Sequence, residues 1–237
     1  MIEIIEQYWK AYLWTDGFHW TGLAMTTWLL TLSIAFGFVL SVPLAVARVS
    51  QNRLVSGAVW LYTYVFRGTP LFVQLLFVYT GLYSLQVVRD TEVLNAFFRE
   101  GFYCTVLTFT LNTCAYTTEI FAGAIRATPY GEIEAARAFG MSRLTMLRRV
   151  VLPSALRRAL PAYSNEVILM LHATSVAFAA TVPDLLKIAR DVNAATYNTT
   201  LAFGTAGLLY LCLSFLLIWL FRMAENRWLA YLAPRKH

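Results

Sequence analysis

Five long apolar stretches alternate with polar intervals along this chain, over about 21–47, 70–88, 102–125, 159–180 and 200–221. A helix that crosses a bilayer needs about 20 apolar residues. Each stretch therefore predicts one spanning helix, and the pattern as a whole predicts an all-α integral membrane protein of five spans. A shorter apolar approach, 55–66, precedes the second stretch. The interval 126–158 behaves differently. Ile133, Ala136, Phe139 or Gly140, Leu144, Leu147 and Val151 return every three or four positions among charged residues, which is the period of an amphipathic helix rather than a spanning one. Gly140 interrupts that period and predicts a turn, and Pro153 predicts the end of the second helical piece. The expected architecture is a single membrane domain over 1–237, with an arm outside the bilayer over about 126–158.

Composition agrees with this pattern. The 237 residues are 59% hydrophobic and only 14% charged, against about 25% charged in a soluble domain. Cys104, Cys114 and Cys212 all fall inside apolar stretches with no CxxC pair, and are expected to pack between helices as small apolar residues. His19, His172 and His237 are too scattered to suggest a metal site. The first twenty residues are aromatic and acidic, unlike a cleavable leader, and predict an interfacial amphipathic lead-in.

Charge sets the expected orientation. The interval 48–67 carries +3, the interval 126–158 carries +5 from seven arginines and two glutamates, and the tail from Arg222 carries +3. On the other side the N-terminal tail carries −2, the interval 89–100 carries −1 and the interval 183–197 is neutral. Basic intervals alternate with the others, so the positive-inside rule predicts an N-terminus outside and a C-terminus inside. The net charge of +6 is thereby read as a topology signal, with no folded basic surface for nucleic acid.

Polar residues inside the apolar stretches are the candidate chemistry. Thr105, Thr108, Asn112, Tyr116 and Glu119 are spaced three, four, four and three apart and form one stripe on a helix face. Tyr163, Glu166, Met170 and Thr174 share a face in the fourth stretch, with Asn165 and His172 on an adjacent one. A charge at mid-bilayer costs about 2.5–3.5 kcal/mol by insertion measurements, so both glutamates should face protein or water. One reading is a solute path. Glu166 would accept a cationic group with Thr174 beside it, and Asn112 and Glu119 would border the cavity. Other readings stay open. The threonines bond back to their own helix, Glu119 is solvated or paired with Arg126 near the cytoplasmic end, and Glu166 makes a structural bond between helices. Gln74 is a further candidate for the same cavity.

The arm carries a recognisable signature. Glu134-Ala135-Ala136, three residues, Gly140, nine residues and then Val150-Val151-Leu152-Pro153 resembles the EAA motif of permease subunits of binding-protein-dependent ABC importers, with Val150 in place of isoleucine. Arg67-Gly68-Thr69-Pro70 and Asn165-Glu166 resemble the polar amino acid, or histidine permease, branch of that family. The resemblance implies the MetI-like type I importer fold. It implies a sister permease of the Q type, two cytoplasmic ATPase subunits and a periplasmic substrate-binding protein, in a bacterial inner membrane. ATP and magnesium would be held by the ATPase subunits, and no cofactor by this chain. The signature arm would be the element that meets the ATPase, through Glu134, Ala135, Ala136, Phe139, Gly140 and Leu144. Cationic L-amino acids are the implied solute, with a neutral polar amino acid such as glutamine as the alternative.

The chain has no GxxxxGK[ST], so phosphate chemistry is expected on another subunit. A self-sufficient channel or secondary transporter would leave the arginine-rich arm unexplained and predicts an internal repeat. His172 and Ser175, three apart, are close enough for a helical pair. No GxSxG or HExxH accompanies them, and no catalytic residue or metal ligand is assigned.

Overall fold

A computed structural model describes residues 2–229. Arg235, Lys236 and His237 lie outside the described residues. All regular elements among the described residues are helical. They are α1 (Ile2–Leu13), α2 (Gly22–Arg48), α3 (Arg53–Gly68), α4 (Leu71–Leu76), α5 (Gln86–Asp90), α6 (Glu92–Arg99), α7 (Gly101–Arg126), α8 (Tyr130–Ala138), α9 (Arg143–Met146), α10 (Leu152–Ala173), α11 (Leu185–Thr196) and α12 (Thr199–Trp228).

At the centre stands α7, packed against α2, α3 and α10. Burial surrounds it on most sides: Thr105, Phe109, Thr113, Ala115, Thr118 and Ala122 are all covered. A helix covered on most sides by its own chain has less need to be apolar, which is why α7 tolerates so many hydroxyls. Thr105 and Thr108 donate to the carbonyls of Gly101 and Cys104 at 2.7 and 2.8 Å, the back-bonding expected of threonine in a helix. Apolarity concentrates instead in the outer helices. Among the described residues, α2 and α12 are the single helices long and apolar enough to cross a bilayer.

Ser33, Gly37, Ser41 and Ala45 recur every fourth residue along the buried face of α2. Small residues at this spacing let two backbones approach, and packing at that distance drives helix association where lipid is as apolar as leucine. A Cβ on Gly37 would lie 2.5 Å from Thr113 Cγ2, so α2 and α7 could come no closer with any larger residue there.

The second predicted span is corrected. A single helix over 70–88 does not form: α4 continues as a wide π-type turn, Phe77–Leu82, and stops. Twelve residues reach only ~18 Å at 1.5 Å per residue, short of the bilayer core. The approach 55–66 is itself the greater part of α3, and α3 meets α4–π at 103°. Pro70 causes the break, because a residue before proline is excluded from helical geometry; Thr69 accordingly has φ −115° and ψ 145°. The polar intervals 89–100 and 183–197 are also not loops but carry α5, α6 and α11.

Pro153 is likewise corrected as a terminator. The backbone stays helical from Arg143 to Ala173, through α9, a π-type segment Leu147–Val151 and α10. Proline cannot donate to the preceding turn and crowds its carbonyl, and the wider turn just before it relieves that crowding. Beyond Ala173 the helix tightens to 3₁₀ geometry over Thr174–Ala180. Cys104 and Cys114 are packed inside as expected, whereas Cys212 is exposed on α12.

At the end of the 3₁₀ segment Asp184 is fully buried. Its carboxylate caps α11, accepting from the backbone N–H of Leu186 and Lys187 at 3.1 Å each, and the Tyr210 hydroxyl donates to it at 3.4 Å. Burial outweighs these bonds and pushes the carboxyl up to about 7. An Asp in an unfolded chain titrates near about 4. The contribution of this group to stability is thus complete below that value and is lost as pH rises through about 7. Asp184→Asn keeps a capping oxygen and removes the ionisation. The melting temperature of the purified protein should fall less between pH 6 and pH 8 in the variant than in the wild type; an equal or steeper fall would show that Asp184 does not titrate in this range.

Candidate functional site

The break between α3 and α4 is held open by side chains that take up its loose backbone groups. Gln74 Nε2 donates to the Phe66 carbonyl at 2.8 Å, to the Thr69 carbonyl at 3.0 Å and to Thr69 Oγ1 at 2.7 Å. Asn112 Nδ2, from α7, donates to the same Phe66 carbonyl and to Gln74 Oε1, both at 3.1 Å. Tyr116 hydroxyl donates to the Arg67 carbonyl at 3.4 Å. Unpaired backbone is tolerated at membrane depth only where protein satisfies it or water reaches it, and these three side chains supply the first condition.

The turn lines a cavity of about 450 Å³. Residues 67–71 form one wall, Asn112 and Tyr116 of α7 a second, and Glu166, Leu169, Met170 and Ala173 of α10 the third. Glu166 is 6% exposed and accepts from Thr113 Oγ1 at 3.2 Å. Among the described residues no basic side chain lies within ion-pairing distance of it. Arg67 places its guanidinium over the Tyr116 ring, 5.3 Å from the centroid.

Glu166 and Asn112 thus come together. Gln74 stands behind the wall, bonded to Asn112. Two other candidates part from the cavity. Thr174 is fully buried and donates to the Leu171 carbonyl at 2.6 Å. The helix tightens there, so the four-residue step from Met170 no longer keeps to one face, and Ala173 lines the cavity instead. Glu119 lies two turns beyond Asn112, where Arg48 Nε meets its Oε1 at 2.7 Å and Thr63 Oγ1 donates to the same oxygen at 2.8 Å. Its partner is Arg48, from a different helix, and not the sequence neighbour Arg126. His172 and Ser175 form no reactive pair: His172 Nε2 lies 3.2 Å from Ser214 Oγ, and the Ser175 hydroxyl donates to the His172 carbonyl.

Arg67 is the cavity residue that sequence reading misses. It was counted only with the inner charges of the interval 48–67, and it is an exposed residue of the turn that lines the cavity. The available signal was its position, a cation immediately before Gly-Thr-Pro between two apolar stretches.

On the arm, α8 and α9 are joined through Gly140 at φ +73°, a conformation glycine adopts freely. Ala136 is buried, Glu134 and Ala135 are exposed, and Ile133 is half-covered. Phe139 and Leu144 are 84% and 56% exposed. Arg158 Nη1 meets Glu132 Oε1 at 3.1 Å and so ties α8 to the foot of α10. A hydrogen bond from Ser154, with Arg158 beside it, holds the Glu132 carboxyl below the usual range.

The profile of the family described as "binding-protein-dependent transport system inner membrane component" matches residues 34–229. The chain is 64% identical over 234 residues to the histidine/lysine/arginine/ornithine transport system permease protein HisM of Escherichia coli (strain K12), covering 99% of this chain and 98% of that one. It is 43% identical over 194 residues to the nopaline transport system permease protein NocM of Agrobacterium fabrum (strain C58), covering 82% and 80% respectively. Among solved structures, an amino acid ABC transporter crystallised with histidines aligns at a TM-score of 0.74 and 28% identity, over 86% of this chain and 90% of that chain. The MetNI methionine ABC transporter in an inward-facing form aligns at 0.69 and 21% identity, over 87% and 94%, a likeness of fold. With the helical bundle, the broken second helix and the exposed arm already in place, these matches establish that the chain belongs to the binding-protein-dependent transport system inner membrane components.

Proposed function

We propose that this chain is the permease subunit of an importer for cationic L-amino acids, namely histidine, lysine, arginine and ornithine. The observation that carries the solute class is Glu166: a buried carboxylate in the wall of a bundle cavity, with no cationic partner among the described residues. An unpaired charge in such a place needs water or a partner, and a guanidinium or ammonium in transit supplies one. The identity to the HisM relatives supports the same solutes. Asn112 and Gln74, the amides that would recognise a neutral polar solute, have their donors engaged by backbone and by each other.

In this reading five segments cross the inner membrane: α2, the broken α3–α4 pair, α7, α10 with its 3₁₀ extension, and α12. The N-terminus is periplasmic and the arm and C-terminus cytoplasmic. Removing Arg67 from the inner charges leaves Arg48 and Arg53 between the first two segments, so the alternation survives. A periplasmic binding protein delivers the solute and a Q-type sister permease completes the path. Two ATPase subunits hydrolyse ATP with magnesium and meet the arm at Glu134, Ala135, Phe139, Gly140 and Leu144. Ala136 is covered by the chain itself and anchors α8.

Two experiments test these assignments. In proteoliposomes of the assembled transporter, Glu166→Gln should reduce uptake of arginine and lysine about tenfold, the ~1.4 kcal/mol of a charge-assisted contact. Histidine uptake at pH 8, where the imidazole is mostly neutral, should fall much less. Equal loss for all three solutes would make Glu166 a structural residue. For the arm, nothing lies within 4 Å of a Cβ built on Gly140, so the effect of Gly140→Val is backbone strain of about 1–2 kcal/mol, enough to reshape the turn without unfolding the bundle. The variant should insert normally and lose solute uptake, with ATPase either unstimulated by solute or detached. Wild-type uptake would remove the arm from coupling.

A further inference from the structure

Arg67 and Glu166 line one cavity, yet their charged atoms form no ion pair within 4 Å. Arg67 also donates no side-chain hydrogen bond among the described residues; its guanidinium carbon lies over the Tyr116 ring, 5.3 Å from the centroid. A cation–π contact uses no hydrogen-bond acceptor and leaves the N–H donors for another group. Glu166 is buried and Arg67 is exposed at the turn, and both reach the same cavity. A guanidinium stays protonated at any physiological pH. A passage built for a bare cation gains nothing from a fixed positive charge in its wall, since that charge repels the cargo.

The contradiction disappears if the cargo brings an anion as well. An α-amino acid with a basic side chain carries a carboxylate at one end and a cation at the other. We propose that Arg67 binds the α-carboxylate of the amino acid in transit while Glu166 binds its cationic end. The assignment rests on the reading of Glu166 given above and adds to it a second, independent recognition element. A guanidinium fork matches a carboxylate in two parallel hydrogen bonds, and the backbone of Arg67 is fixed for the purpose: Tyr116 holds its carbonyl, and Asn112 and Gln74 hold that of Phe66. The cavity is thereby selective for amino acids over amines of the same positive charge.

The test compares arginine with agmatine, which is arginine without its carboxylate. Binding of each to the assembled transporter, purified in detergent without the binding protein, is measured by equilibrium dialysis. The wild type should bind arginine more tightly than agmatine, although agmatine is the stronger cation. Arg67→Gln should weaken arginine about tenfold, ~1.4 kcal/mol, and leave agmatine unchanged or tighter. Arg67→Lys, which keeps a charge but not the fork, should fall between the two, and it decides the matter if Arg67→Gln does not assemble: the arginine-to-agmatine ratio should narrow. A ratio unchanged by either variant, or equal weakening of both solutes, would overturn the role of Arg67. Glu166→Gln should weaken both solutes. If it weakens neither, the reading of Glu166 fails while the carboxylate contrast at Arg67 is still measured by its own variants.

Discussion

The close approach of α2 to α7 is the contact that the rest of the bundle depends on. Its basis is a stripe of small side chains, Ser33, Gly37, Ser41 and Ala45. In lipid there is no hydrophobic drive between apolar helices, so association must come from atoms fitting at short range. Gly37 sits against Thr113, and the Thr113 hydroxyl in turn donates to Glu166. A line of contacts therefore runs from a featureless outer helix to the one buried carboxylate of the cavity. Because α2 shields α7 from lipid, α7 is free to carry Asn112 and Tyr116, and these two fix the broken turn.

What sequence conveys here is mostly lipid exposure. The long apolar runs of α2 and α12 were legible because those helices face outward. The arm was legible for the opposite reason: outside the bilayer, burial is one-sided again, and the helical period of Ile133, Ala136 and Leu144 is plain. Gly140 could be placed at a turn with positive φ because it interrupts that period. The elements in between were harder. Hydropathy alone does not reveal that Thr69, placed before Pro70, leaves the helix, and so one continuous span was drawn over 70–88 where the helix that starts after Pro70 ends at Leu82. Thr174 failed because the face pattern assumes 3.6 residues per turn to the end of α10, whereas the turn tightens at Thr174 itself. Arg67 was missed as a cavity residue because a charge between apolar runs reads only as a topology signal. The runs on either side of it are α3 and α4, set at 103° to one another.

Charge pairing divides the two glutamates of the bundle into different kinds of residue. Glu119 has Arg48 and Thr63 on one oxygen; its charge is paired and it joins three helices away from the cavity. Glu166 has one weak donor and an open cavity. Both occupy equivalent positions in a hydropathy plot. The difference arises from which neighbour the packing brings near, a property of three-dimensional arrangement that neither spacing nor composition encodes.

The uninterrupted helix from Arg143 to Ala173 has a mechanical consequence. Glu166 stands ~35 Å along its axis from Arg143, at about 1.5 Å per residue. A rod of that length, pivoting at its foot by only ~5°, carries its far part through ~3 Å, about the length of the Thr113–Glu166 hydrogen bond. The arm is clamped to the rod by Glu132 and Arg158, ~22 Å along from Arg143 at about 1.5 Å per residue. A displacement of the arm at that clamp would arrive at Glu166 about one and a half times larger, and the leverage comes from helix length alone, with no need for any residue between the two ends to change its conformation.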